Sequence, residues 1–179
     1  LITHSMGGLF GKAIIKELED SGKANLIDSF VMVGTPQLGT AGAVAGLLHG
    51  ERLEIGGSGF RFVNKAKMRA LAQNLESAYY LLPSEQYFQK VVDPPVVFDE
   101  IPLTLDWRNE WGLLLNTFTQ LSEFLSGAGP NRNYPDPANT QNPEILNPVL
   151  LQKAKDFHTN FDNFIIPSWQ FNAWRECFE

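Results

Sequence analysis

Leu1-Ile2-Thr3-His4-Ser5-Met6-Gly7-Gly8 opens the chain, and its reading decides the rest. The apolar pair Leu1-Ile2 suits the end of a strand, and a helical pattern begins directly after Gly8. When a strand meets a helix across one residue, that residue stands at the tip of the bend. Here it is Ser5, with its hydroxyl exposed and the N–H of Met6 facing the same space. Small residues are needed beside the tip, because strand and helix backbones approach closely there. Gly7 meets that need. Thr3 stands where a Gly-x-Ser-x-Gly bend has its first glycine, and it is also small. The plainer alternative is a loop that starts a helix with Ser5 as its N-cap.

The flanking sequence supports the bend. Leu9, Phe10, Ala13, Ile14 and Leu18 fall at helical spacing, with Lys12, Lys16, Glu17, Glu19 and Asp20 elsewhere on the cylinder. Gly22 is placed as a helix stop. Ile27 to Gly34 is a short apolar run that suits a buried parallel strand. Strand, bend, helix and strand make one βαβ unit over residues 1–40. The fold class expected is therefore α/β.

Composition bounds what such a chain does. Of 179 residues, 44% are hydrophobic and 19% charged, which excludes a mainly disordered chain. The net charge is -6 and there is no Lys/Arg run, so no nucleic-acid partner is expected. The single cysteine, Cys177, has no partner for an internal disulfide. No apolar run reaches transmembrane length. The chain begins without methionine and inside the end of a strand. It reads as a piece of a longer protein, with the sheet's other strands expected before Leu1 and after Glu179.

Residues 41–165 read as helix, loop and proline, with no clear strand. A short helix or turn is expected over the small apolar residues 41–50. Gly56-Gly57-Ser58-Gly59 is a loop, without the Gly-Lys-Ser/Thr or dinucleotide spacing of a phosphate site. Helices are expected over 64–77 (Met68, Leu71, Ala72 and Leu75 inward), over 109–126 and over 147–164. Gly127 and Gly129 stop the second, and Asn147-Pro148 starts the third. Five prolines and five asparagines make 129–148 an irregular connection. So long a stretch between sheet strands reads as a mostly helical cap, placed over the sheet edge where ligands bind in such folds. Residues 166–179 remain unassigned, with a possible return towards the core.

Three stretches together resemble one family, the lecithin:cholesterol acyltransferase-type lipases of the α/β-hydrolase superfamily. They are Thr3-His4-Ser5-Met6-Gly7-Gly8, Val33-Gly34-Thr35-Pro36-Gln37-Leu38-Gly39-Thr40 and Ser77-Ala78-Tyr79-Tyr80-Leu81-Leu82-Pro83-Ser84. The helix ending Phe157-His158 through Asp162-Asn163 looks like the family's last cap helix, so the resemblance runs over about residues 1–165. Thr3 replaces the elbow's first glycine, Gln37 stands where histidine is common, and the residues after Pro167 depart from the family pattern.

The resemblance implies a partial α/β-hydrolase fold with Ser5 as nucleophile and the Met6 N–H as one oxyanion donor. Serine needs an adjacent base, itself oriented by an acid. In this fold the order is Ser, then Asp or Glu, then His. The acid and base are therefore expected beyond Glu179, and the second oxyanion donor before Leu1. The substrate implied is a lipid or other carboxylic ester, with the acyl group passing to water or to an alcohol. No cofactor or metal is implied.

Other readings stay open. One is a non-catalytic binding module on a degenerate hydrolase fold; another is a thioesterase or peptidase on the same fold. His4 is expected to pack beside the bend and His49 to lie on the surface. His158 and Asp162 share a helix face and read as solvated rather than as metal ligands, because a third ligand is lacking. Trp107, Trp111, Leu113, Leu114, Leu115 and Phe118 read as core, or as a lid making transient contact with a lipid surface.

Overall fold

Strands β1 (Ile2–His4) and β2 (Val31–Val33) lie parallel, with Ile2 opposite Val31, Thr3 opposite Met32 and His4 opposite Val33. They are joined through helix α1 (Gly7–Asp20) and a 3-10 turn at Ala24–Leu26. This is the expected α/β pairing. The computed structural model describes residues 1–50, 53–54, 61–63, 65–98, 111–127 and 145–164. The chain divides into two compact units, Leu1–Gln37 with the chain from Thr159, and Leu38–His158.

In the first unit, α1 ends as its sequence predicts. Gly22 takes φ 71°, and the Lys23 N–H reaches back to the Leu18 carbonyl. Two expectations need correction. The second strand is shorter than 27–34: only Val31–Val33 pairs with β1, and residues 27–30 connect the 3-10 turn to it without joining the ladder. Within that run Phe30 is buried, whereas Val33 is 49% exposed. The inward face of α1 is also turned from the one expected. Gly8, Leu9, Gly11, Lys12 and Ile15 are buried, while Phe10 and Ile14 are exposed. The two glycines decide this. A Cβ at Gly11 would lie 2.5 Å from the Phe30 ring, so that ring packs on bare helix backbone. Ile15 and Phe30 form the small core of this unit, with Ile27, Met32 and Phe164 against them.

The second unit opens with α2 (Ala41–His49), N-capped by Thr40, whose Oγ1 accepts from the Gly42 N–H at 3.3 Å. At its other end Gly50 takes φ 72°, and α3 (Lys65–Ala72) supplies further partners. The Arg69 guanidinium donates to the Leu48 carbonyl, and the Gln73 amide to that of Leu47. Arg69 is therefore buried. Leu71 and Leu75, read as inward, are exposed. The expected 64–77 helix is broken after Ala72 and resumes as α4 (Glu76–Tyr79).

Two strands also appear where none was expected. β3 (Leu53–Glu54) and β4 (Arg61–Val63) pair antiparallel, and elements so short leave no periodic signal. After α5 (Glu85–Lys90), the expected 109–126 helix proves to be two kinds of structure. Gly112 at φ 79° leads into extended backbone, in which Leu114 bridges Val97 antiparallel. Helix α6 (Phe118–Ser126) then starts at the Thr117 cap and ends at Gly127, φ 66°. Both kinds of structure feed one core, in which Phe124 meets Phe98 and Trp111 edge to face. Of the stretch read as core, Trp111 and Leu115 are buried there and Leu114 and Phe118 half-buried, whereas Leu113 is exposed.

Helix α7 (Pro148–Phe161) begins as read, with Asn147 Oδ1 accepting from the Val149 N–H at 2.9 Å. No helix among the described residues is long and apolar enough to cross a membrane. The Gly56–Gly59 loop, Trp107, Gly129 and residues 166–179, with Cys177, lie outside the described residues.

Candidate functional site

The bend at Ser5 is built by the sheet on one side and helix α1 on the other. The ladder runs past the end of β1, since the Ser5 N–H donates to the Val33 carbonyl at 2.9 Å. The chain then turns at once: the Gly8 N–H reaches the Ser5 carbonyl and the Leu9 N–H that of Met6. Ser5 takes φ 52°, and among the described residues it is the one non-glycine with positive φ. A side chain there costs roughly 1–2 kcal/mol. Ser5 is exposed. It is not the N-cap: that position is Met6, and no side chain caps the helix. The Met6 and Gly7 N–H groups have no partner among the described residues. With no acidic residue in the first turn, the positive end of the helix dipole is uncompensated there.

The close approach at the bend falls one residue later than the motif suggests. A Cβ at Gly7 would sit 3.7 Å from Thr3 Cβ, an ordinary contact. A Cβ at Gly8 would lie 2.0 Å from Thr35 Oγ1 and 2.7 Å from Thr35 Cβ. Gly8 is thus what lets the Gly34-Thr35 turn seat against the start of α1. Thr35 Oγ1 is buried there without a hydrogen-bond partner among the described residues. The doubled glycine was the one sequence signal for this contact.

Lys12, expected on the outer face of α1, is buried in that turn of helix. Its Nζ approaches Gln37 Oε1 at 3.5 Å. Burial pulls its pKa below the ordinary 10.5, and the charge of Asp162 opposes that shift. Gln37, standing where the resemblance leads one to expect histidine, is thus a partner for a buried ammonium. Nothing in the sequence marked Lys12 apart from its neighbours.

In the second unit two of the motif stretches interlock. The Thr40 N–H donates to the Leu81 carbonyl at 2.8 Å, and the Ser84 N–H to the Leu38 carbonyl at 2.9 Å. Between those bonds Gly39, φ 83°, lies against the Leu82 carbonyl, where a Cβ would come within 2.0 Å. Tyr79 and Ser84 are fully buried. The Tyr79 hydroxyl donates to the Gln73 carbonyl and accepts from the Asn147 N–H. The Leu38–Thr40 turn and the Leu81–Ser84 segment therefore act as one rigid piece.

The histidines are placed as follows. His4 is exposed at the end of β1, contrary to its expected packing role, because alternation along so short a strand turns it outward. His49 is half-buried rather than superficial. His158 is buried rather than solvated, with Nε2 2.9 Å from the Tyr80 carbonyl oxygen. Beside it Phe157 stacks on the Tyr80 ring at 4.4 Å. The Tyr80 hydroxyl donates to Glu76, whose other oxygen pairs with Lys153 at 2.5 Å. α7 is thus pinned to α4 by a ring stack, an imidazole and an ion pair. Among the described residues no group of three or more His, Cys, Asp or Glu is placed to hold a metal.

A parallel strand pair with a crossover helix, a serine at positive φ between them and mostly helical structure among the other described residues define the class: a partial α/β-hydrolase fold. The sequence model of the lecithin:cholesterol acyltransferase family matches residues 1–145, most of the chain, and the chain belongs to that family. The match takes in all three motif stretches and ends before α7. The family is enzymatic and acts on lipids, with acyltransferase and esterase activity. No curated protein and no solved structure matches the chain.

Proposed function

We propose that the intact protein is a serine esterase or O-acyltransferase acting on lipid esters through an acyl-enzyme on Ser5. The observation that supports this most is the backbone of Ser5. An exposed serine is held at φ 52° between a strand and a helix start whose next two N–H groups have no partner among the described residues. Positive φ on a side-chain-bearing residue is costly, and such strain is concentrated where function requires it.

In this reading a histidine base takes the Ser5 proton as Oγ attacks the ester carbonyl. The negative oxygen that forms is met by the Met6 N–H at the positive end of α1, and the alkoxide leaves with the proton returned by the base. Water or a second alcohol then attacks the acyl-enzyme by the same route, freeing Ser5. The base, the acid and a second oxyanion donor are supplied from outside residues 1–179, so this piece alone is inactive. No cofactor takes part.

The test is Ser5→Ala in the full-length protein. Ester turnover and labelling by a serine-directed phosphonate should both disappear, with the melting temperature unchanged. Retained turnover identifies another nucleophile. A parent protein that neither labels nor turns over esters of any chain length is a binding module instead.

A further inference from the structure

Lys12 is buried on the inner face of α1, only 5% exposed. It lies one helical turn after Gly8 on the same face. Long side chains of a helix lean back toward its start, so the Lys12 stem runs toward the Gly8–Thr35 contact. Among the described residues its ammonium has one hydrogen-bond partner, Gln37 Oε1, at 3.5 Å. That is the long limit of such a bond. Asp162 attracts the charge, but burial outweighs the attraction and draws the pKa below 10.5. An ammonium so placed costs stability that an apolar side chain of similar volume does not. Groups perturbed in this way concentrate at functional sites.

A short series of contacts leads from this ammonium to Ser5. Gln37 ends the Gly34–Gln37 turn, and its N–H donates to the Thr35 carbonyl at 2.9 Å. Thr35 rests on Gly8, where an added Cβ would lie 2.0 Å from Oγ1. The turn begins directly after Val33, whose carbonyl accepts from the Ser5 N–H at 2.9 Å. β1 and β2 are parallel, so the Ser5 bend and this turn leave the sheet at one edge, the edge where ligands bind in such sheets. α1 thus holds the turn at two points, Gly8 beneath Thr35 and Lys12 beside Gln37. The first is a contact of shape, since Thr35 Oγ1 has no hydrogen-bond partner among the described residues. The second is polar and directional. One point of contact lets a turn pivot, and two fix it.

We infer that Lys12 is a positioning residue for Ser5: through Gln37 it fixes the Gly34–Gln37 turn, and through Val33 the turn fixes the bend that presents Ser5. The inference rests on the ester reading of Ser5. In the full-length protein Lys12→Met should lower kcat on a p-nitrophenyl ester about tenfold with KM unchanged, because small misplacements at a reacting centre cost that much or more. The rate of labelling by a serine-directed phosphonate should fall with it. The melting temperature should match or exceed the parent's, because a desolvated charge is gone. A residue that served folding alone would lower it. Gln37→Met, at an exposed position, should reproduce the loss in kcat. Gln37→Glu keeps an acceptor for the ammonium and should stay near the parent. Lys12→Met combined with Gln37→Met should lose no more than either alone, because each breaks the same link. Lys16→Met is the control: it removes a surface pairing with Asp20 on the same helix and should leave kcat unchanged.

An unchanged kcat in Lys12→Met overturns the proposal, as do losses that add in the double variant. If Lys12→Met does not fold, Gln37→Met decides, and an unchanged kcat there overturns the proposal equally. Ser5→Ala separates this from the catalytic reading. If it retains turnover, both fall. If it loses turnover while Lys12→Met and Gln37→Met keep theirs, the positioning role of Lys12 falls by itself.

Discussion

Gly39 rests its α-carbon against the carbonyl of Leu82, so that an added Cβ would lie 2.0 Å from that oxygen. This joins the Leu38–Thr40 turn to the Leu81–Ser84 segment, with a backbone hydrogen bond on either side. Gly39→Ala should therefore destabilise the protein by at least about 2 kcal/mol, from left-handed strain and steric conflict together. Gly34 is the control. It also has positive φ, 57°, but nothing lies within 4 Å of its added Cβ. Gly34→Ala should cost about 1 kcal/mol, strain alone. Equal losses in thermal unfolding would show that the Gly39–Leu82 contact yields readily.

The two glycines after the bend should differ as sharply. Gly7→Ala places its Cβ 3.7 Å from Thr3 and should be nearly neutral. Gly8→Ala drives its Cβ into Thr35 and should displace the start of α1. In the full-length protein the first should keep most of the ester turnover, and the second should lose at least about tenfold in kcat. Thr35→Ala, added to Gly8→Ala, should recover part of the loss, because it removes the two closest of the three conflicting atoms.

Ser5 itself should show opposed effects on stability and activity. Ser5→Gly relieves the positive-φ strain and should match or exceed the parent's stability by up to about 1 kcal/mol, while abolishing turnover. Ser5→Ala keeps the strain and should gain nothing. A large destabilisation of Ser5→Gly in chemical denaturation would refute the strained-bend description.

His158 should prove structural. Its Nε2 is engaged with the Tyr80 carbonyl inside the helical unit. His158→Ala should cost about 1–3 kcal/mol by leaving a buried group unpaired. His158→Gln retains a donor and should keep most of the ester turnover of the intact protein. A loss of several orders of magnitude in that glutamine variant, with the fold kept, would make His158 the base.

The Glu76–Tyr80 pair predicts a pH dependence at two ends. Hydrogen bonds from Lys153 and then Tyr80 hold Glu76 below its ordinary 4.5. The folded state thus binds fewer protons near that pH, and the Glu76 contribution should be present above 4.5 and fade as pH falls below it. Burial first, and then Glu76, push Tyr80 from 10.0 up to about 12. Its contribution should be full below 10 and lost as pH rises toward 12. Glu76→Gln, compared with the parent in urea unfolding across pH, should lose the acidic dependence and narrow the alkaline one.

The sequence by itself determined whatever depends on local chemistry. The Ser5 bend, the Gly22 stop, the Asn147-Pro148 helix start and the Gly127 stop follow from caps, turns and backbone preferences within a few residues. The parallel βαβ pairing followed too, since a strand, a helix and a second apolar run so close together have few ways to close. Tertiary structure decided which face of each helix turns inward. The i, i+4 stripe of Phe10 and Ile14 lost to the one containing Gly8 and Gly11, because only glycine lets Thr35 and Phe30 touch bare backbone. Arg69, and not Leu71, took the inner face of α3 because the end of α2 presented carbonyls that needed donors. Lys12 and His158 are buried for the same reason: partners distant in sequence, Gln37 and Asp162 for one and Tyr80 for the other, offset the cost of leaving water. Such partners leave no trace in local periodicity, because a hydrophobic pattern records what a residue avoids and not which distant group will satisfy it.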